Sequence, residues 1–528
     1  MSEAETNPHK LPRLALAILV LFPFAYGLLS LWMGQDANWD LRNYHWYNGY
    51  ALVNHRFDFD LLPSQTPFFY NPLLDAAWYL FASHVPAWLA SFTLSAIQGL
   101  NFILLFALAR AVIDPVVRRR DALALLIAAL GMLGGGWLAE LGTVFYDNIL
   151  SLGIFGSALA VIKINKALRW NQGKFWLFWV LAGIPIGLGT GIKLPAATFC
   201  VGLCGAILLW RAPVADRLAR AFAFGIGVAI GMSATLGFWA WHLWVHYQNP
   251  LFPYFNNVFH SPLTDATSAR DDQFIAPGWH KLIFPFTWTL NPLKVGEVPF
   301  RDIKLPLLYI LLPLAVLARF IIRKPAPRLT TDGGSYLLWV LVIAYACWLL
   351  MFSIYRYAVP LEALAALGLF LALDRLPLAP RSKIASFIIV AVVSLATIQV
   401  ANWGRTGFGD HFIEVKMPVI EDSANTMVLM AGFQPYSHVL SAFPPEMPVL
   451  RLVSNFASPQ QDKAMNQVIR QRLADWHGKL ALLLPWYDVN WISREVMPQF
   501  GLKTDIEACQ DVTPNFLEPL KLCPISRQ

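Results

Sequence analysis

Charge is what this chain has least of. Asp, Glu, Lys and Arg make up 14% of its 528 residues, against about 25% in soluble domains, while apolar residues reach 57% and mean hydropathy is +0.49. That balance excludes an ordinary water-soluble domain and requires lipid as solvent. Cysteine is scarce as well: of five, Cys200, Cys204 and Cys347 sit inside apolar runs as small buried hydrophobes. Nucleotide-binding loops are missing. Neither a Walker loop nor a G-x-G-x-x-G opening a helix after a strand occurs, which disfavours ATP-driven transport and direct use of a cytosolic nucleotide-sugar. No H-E-x-x-H, zinc-spaced Cys pair or EF-hand loop is found, and His45, His242, His246 and His260 form no metal-ligand pattern. Neither a metal nor another cofactor is therefore expected, although Asp36 and Asp40 could hold a divalent ion.

What is present is a series of apolar runs of about 20 residues, the length that crosses ~30 Å of hydrocarbon. They cover 14–33, 87–113, 122–138, 149–164, 175–191, 194–210, 221–241, 305–322, 336–352, 358–373 and 384–400, about eleven spans. Basic residues mark every second connection. Lys10 and Arg13 precede the first span; Arg118, Arg119 and Arg120 follow the second; Lys163, Lys166, Arg169 and Lys174 follow the fourth. Arg211, Arg217 and Arg220 follow the sixth, Arg319, Arg323, Lys324 and Arg328 the eighth, and Arg375, Arg381 and Lys383 the tenth. By the positive-inside rule these ends and the N-terminus are cytoplasmic, and an odd number of spans puts the C-terminus outside. The first apolar run lacks an A-x-A-like site and reads as an uncleaved anchor. The net charge of +7 is mostly this topology signal, so no nucleic-acid partner is expected.

Three segments are too long and polar to be connectors: 34–86, 242–304 and the tail 401–528. All fall on the outer side, where function is then expected. The first reads GQDANWDLRNYHWYNGYALVNHRFDFDLLPSQTPFFYNPLLDAAWYLF from Gly34. Its spacing puts Asp36, Asp40, Tyr44, Tyr47 and Ala51 on one face of a helix near the membrane surface. The aromatics alone fit an interfacial amphipathic helix. The carboxylates are costly there unless hydrated or used, which favours Asp40 and Asp36 as general base or ligand, with His45 beside them.

An Asp followed four residues later by Tyr just after the first span (Asp40, Tyr44), then a second interfacial helix opened by Tyr70-Asn71-Pro72, resembles the first outer loop of membrane glycosyltransferases of the GT-C type. The likeness covers 14–400 in layout and assigns neither a specific family nor a sugar. It implies a polyprenyl-phosphate sugar donor, a glycan, lipid or protein acceptor, and a location in a bacterial inner membrane. Glu140 and Asp147 flank the short outer turn after the third span, where such enzymes carry a second acidic residue; Asp147 also suits a helix N-cap. Lys193 and Arg356 break the positive-inside pattern and could face a donor phosphate, or snorkel to headgroups; Arg356-Tyr357 before Pro360 matches an Arg-Tyr placed before a late span in such proteins. Asn249 and Asn256 could bind sugar hydroxyls, or plug a surface loop. A flippase or transporter of lipid-linked glycans and a non-catalytic assembly factor are the alternatives.

The expected fold is an all-α polytopic bundle over 1–400 with an extracytoplasmic α/β domain over 401–528. Strand-like runs at 427–430, 438–441, 449–452 and 480–484 surround a polar helix at 460–476. Cys509 and Cys523, outside in an oxidising compartment, are expected to form a disulfide.

Overall fold

The computed structural model describes residues 11–167, 173–322, 327–459 and 464–528. Lys10, Arg169, Arg323 and Lys324 lie outside them, as does the start of the tail helix expected at Gln460. The chain divides into two compact units. One comprises Met1–Met33, Phe92–Thr235 and Asp271–Trp403; the other comprises Gly34–Ser91, Leu236–Arg270 and Gly404–Gln528.

The first unit is built of apolar helices. Among the described residues eight helices have the length and hydropathy of a span: Arg13–Met33, Ala87–Val112, Asp147–Ala167, Phe175–Ile192, Val214–Tyr247, Lys304–Ile321, Gly333–Met351 and Tyr355–Asp374. The expected number was about eleven. The remaining three runs are helical but short: Arg120–Met132, Leu194–Leu208 and Pro380–Ala396, of which the first has 13 residues, or about 20 Å of rise. That helix stops where the run 122–138 was expected to continue, because Gly134 takes an extended conformation (φ −142°, ψ 157°) and starts a separate short helix, Gly135–Ala139.

Close packing explains the glycines of two spans. A Cβ on Gly183 or Gly187 would lie 2.1 or 2.3 Å from the carbonyl oxygens of Phe224 and Val228, and one on Gly227 or Gly231 would meet Val180 and Ile184 at 1.9 and 2.4 Å. Paired G-x-x-x-G faces thus let two helices of the first unit approach backbone to backbone, as lipid-embedded helices do. Tyr355–Asp374 is the central helix, 94% buried over its span window. From it Glu362 accepts hydrogen bonds from the backbone N–H of Gly136 (3.1 Å) and Trp137 (3.0 Å) and from Tyr355 (2.7 Å), so the Gly135–Ala139 turn has a fixed anchor.

The second unit gathers chain segments far apart in sequence. Its core is a mixed seven-stranded sheet. Thr426–Met430 pairs in parallel with both Val449–Arg451 and Lys479–Pro485; the latter pairs antiparallel with Leu520–Arg527, which also pairs with Leu502–Thr504 and Gln510–Pro514. Val415–Lys416 completes the sheet beside Gln510–Pro514. The helix is Ala464–Asp475. The run 438–441 is not a strand: it lies in a 3-10 helix, Ser437–Ala442, where Ser437 donates to the Pro63 carbonyl (2.5 Å) and His438 Nδ1 sits 3.1 Å from that of Arg42. Side chains there reach other backbone instead of a neighbouring strand. The three C-terminal strands were not anticipated from their mixed polar patterning. A disulfide joins Cys509 to Cys523.

The segment after the first span is part of this unit, not a free loop. Leu61 makes a parallel bridge to the sheet edge, donating to Val449 (2.9 Å) and accepting from Arg451 (3.0 Å). Arg56 and Asp60 form a buried ion pair at 2.8 Å; Arg56 also donates to the carbonyls of Pro445 and Met447, and Asp60 accepts from Val449 N–H at 2.7 Å.

Candidate functional site

In the second unit the acidic turn begins at Gly34, whose φ of +93° is left-handed and whose Cβ position lies 2.8 Å from the Thr406 carbonyl. Only glycine fits there. Gln35–Asp36 then pairs with Arg405–Thr406, setting Asp36 across from Arg405. Asp36 is fully buried and accepts from the backbone N–H (3.0 Å) and side-chain amide (3.1 Å) of Asn38. Burial lowers the Arg405 guanidinium, with Asp36 opposing the shift.

Asp40 is half-buried. Directly after it the backbone forms a π-helical turn, Leu41–His45, before the helix Trp46–Val53. Such turns are rare and concentrate at functional sites. This one delivers the Tyr44 hydroxyl onto the Asp40 carboxylate at 3.3 Å. The Tyr44 ring stands edge-on to Tyr70 at 5.5 Å, and the Tyr70 hydroxyl lies 2.7 Å from that of Tyr254. Next along the turn, His45 Nδ1 lies 2.6 Å from the Asp75 carboxylate.

The single helical face expected for Asp36, Asp40, Tyr44 and Tyr47 is not formed. Asp36 sits in the strand ahead of the helix, and the wide π turn rotates the residues beyond it. Tyr47 consequently points elsewhere: its hydroxyl donates to Asp60 at 2.5 Å, in the buried Arg56–Asp60 cluster. Burial and that neighbouring carboxylate push the Tyr47 phenol well above its ordinary range. Asn249 and Asn256 also turn inward. Asn249 donates to the Tyr254 carbonyl (3.0 Å) and to Asn256 (3.3 Å), while Asn256 donates to the carbonyls of Ser261, Thr264 and Asp265 at 3.0–3.1 Å. Their amides organise the loop, which is the structural alternative, and leave sugar hydroxyls little to bind.

The first unit holds the second acidic turn. Glu140 caps the end of Gly135–Ala139, fully buried, and neither carboxyl oxygen has a hydrogen-bond partner among the described residues. Burial, and then Asp147, push its acid well above the usual carboxyl range, against the pull of Lys193 and Arg356. Lys193 is bound to Asp147 at 2.6 Å and to the Phe145 carbonyl at 2.9 Å, with the Tyr357 ring beneath its ammonium at 4.9 Å. Arg356 lies over the Phe145 ring (4.4 Å) and 3.4 Å from Glu297. Thus Glu140, Asp147, Lys193, Arg356 and Tyr357, scattered over more than 200 residues of sequence, are brought to one neighbourhood of the first unit. A small cleft there has Asp147 and Tyr357 beside the apolar side chains of Leu150, Ile154, Phe199 and Pro360.

Sequence reasoning missed Glu362, hidden because it reads as one acid in an apolar span, and the Arg56–Asp60 clamp, whose i,i+4 spacing was visible. It also found no metal pattern among the histidines. In the structure His242, His246 and Asp58 present ligand atoms that all lie within 4.8 Å of one another. The four-residue spacing of the two histidines on a helix was the available signal.

No family model matches the chain, and no curated protein matches it in sequence. Among solved structures it is similar to the oligosaccharyltransferase of Archaeoglobus fulgidus in its apo form, with a TM-score of 0.45 at 12% identity, over 90% of this chain and 69% of that one. The same enzyme in complex with Zn and sulfate gives 0.43 at 13%, over 89% and 67%. The archaeal oligosaccharyltransferase AglB from Archaeoglobus fulgidus, in complex with an inhibitory peptide and a dolichol-phosphate, gives 0.47 at 14%, over 90% and 70%. At such identities the likeness concerns chain layout, and the reading of function rests on this chain's own residues.

Proposed function

We propose that this protein is an inverting membrane glycosyltransferase that moves a sugar from a polyprenyl-phosphate donor to a glycan, lipid or protein acceptor at the outer face of a bacterial-type inner membrane. The observation that carries this reading is the π-helical turn that follows Asp40 and sets Tyr44 against its carboxylate. A polyprenyl phosphate is already a good leaving group. The enzyme's task is then to position and deprotonate an acceptor hydroxyl, for which one carboxylate suffices. It must be reachable from water yet close to the lipid-anchored donor; Asp40 is half-buried and follows the Arg13–Met33 helix by seven residues of sequence, which supports this choice.

In the proposed step Asp40 takes the acceptor hydroxyl proton as that oxygen bonds to the anomeric carbon from the face opposite the phosphate. The sugar–phosphate C–O bond breaks, and the electron pair leaves with the phosphate. Tyr44 fixes the Asp40 carboxylate. Arg356 of the first unit carries a guanidinium fork of the kind that matches a phosphate bidentately. Asp36, bound by Asn38, serves the turn's structure.

The test is a lipid profile of cells with and without the gene. Accumulation of a polyprenyl-phosphate sugar in the deletion, relieved by the wild-type gene and not by one encoding Asp40→Asn, is the expected result. An unchanged pool of such lipids would overturn the proposal.

A further inference from the structure

The helix Val214–Tyr247 has 34 residues, about 50 Å of rise against a hydrocarbon core of ~30 Å. It therefore extends beyond the apolar layer. Its end from Leu236 onward belongs to the second unit, and Trp241 and Trp244 are exposed there, as at a membrane–water boundary. One turn apart on this end stand His242 and His246, with ring centroids 4.3 Å apart. Asp58, from the 3-10 turn Arg56–Asp58 of the same unit, completes the group, and the three ligand atoms lie within 4.8 Å of one another.

We propose that Asp58, His242 and His246 form a binding site for a zinc-class divalent cation, which ties the Arg56–Asp58 turn to the end of this helix. Two imidazoles and one carboxylate are a donor set suited to zinc, and three protein ligands leave one position for water. The surroundings prepare the ligands. His246 Nδ1 lies 2.9 Å from the His242 carbonyl; donating its proton there leaves Nε2 with the lone pair a metal needs, the outer-shell arrangement typical of metal-bound histidine. The His242 ring is stacked flat on Trp239 (4.7 Å, 10°) and touched edge-on by Phe57 (6.1 Å), so its direction is fixed by packing. Asp58 follows Arg56, which is locked by Asp60 and the Met447 carbonyl. Bonds of about 2.0–2.1 Å place tetrahedral ligands about 3.3 Å apart. Asp58 and His246 are exposed and can close that gap by side-chain rotation.

The test uses the full-length protein, purified in detergent on a histidine-free tag and stripped with chelator. Titration with Zn²⁺ against a chromogenic competitor should give one strong site per chain. His246→Gln should weaken it at least tenfold and Asp58→Asn several-fold, and the doubly substituted His242→Gln/His246→Gln protein should lose it. Zn²⁺ should raise the thermal midpoint of the wild type and leave that of the double variant unmoved. His246→Gln, altering an exposed residue, keeps the comparison valid if the double variant fails to fold. Equal zinc uptake by wild type and His246→Gln, or uptake by neither, would overturn the site. Because none of these readouts uses sugar transfer, they stand apart from the glycosyltransferase reading.

Discussion

At the Asp36–Tyr44 turn each carboxylate has a donor at hand: Asp36 has the Asn38 amides and Asp40 has Tyr44. At the Glu140–Asp147 turn the acids are treated unequally, for Asp147 holds Lys193 while Glu140 is sealed away with no hydrogen-bond donor among the described residues. The contrast is one of hydrogen bonding. Hydrogen bonds to a carboxylate stabilise its charged form, whereas burial without donors stabilises the neutral acid. Burial thus favours the neutral acid at Glu140, while the first turn holds the carboxylate proposed above as the base.

The largest effect expected from this contrast is on turnover. Asp40→Asn keeps shape and removes basicity, so the purified variant should insert normally and lose turnover by about 10² or more. Asp36→Asn should act on stability instead. If Asp40→Asn transfers sugar at the parental rate and Asp36→Asn does not, the base is Asp36 and the contrast within the first turn is reversed.

Glu140→Gln comes next. Because the folded-state acid is raised above its unfolded value, its contribution to stability is fully present below the unfolded pKa and is lost as pH rises through the folded one. The wild type should thus lose up to about 1.4 kcal/mol per pH unit across that window, and Glu140→Gln, unable to ionise, should not. Thermal midpoints of the two proteins measured across pH would show it; parallel curves would mean that Glu140 is charged after all.

Arg356→Lys is the mildest. It retains the charge and forfeits the fork, so donor affinity should drop about fivefold, or ~1 kcal/mol. Unchanged affinity in Arg356→Ala, measured with a polyprenyl-phosphate ligand, would remove this residue from the donor's surroundings.

The helical runs were legible because hydropathy is a sum over neighbours in sequence, and Tyr70-Asn71-Pro72 does precede the helix Leu73–Ala82. The break at Gly134 was not legible, since it depends on a backbone angle and on Glu362 waiting in another helix. Asp40 and Tyr44 could be paired from their spacing. Tyr47 could not be separated from them, because a π turn adds its extra residue without any signature in the side chains. Asp58 joins two histidines from a distant segment, and the Leu61 bridge to the sheet has no local periodicity to announce it. Local patterns specify elements; the pairing of remote segments emerges only when they pack.

The Asp60 clamp has a consequence for how the protein is made. Its carboxylate and the Val449 N–H that it binds are separated by 389 positions. At 5–20 residues per second the ribosome needs roughly 20 to 80 s to travel from one to the other. During that interval Arg56 and Asp60 are without their sheet, and a newly made segment rich in aromatic side chains must be kept from aggregating until its partner strands are synthesised. Biogenesis of this protein is therefore most vulnerable in the middle of translation, and a premature stop ahead of Val449 would leave the 56–61 segment without the strand it binds.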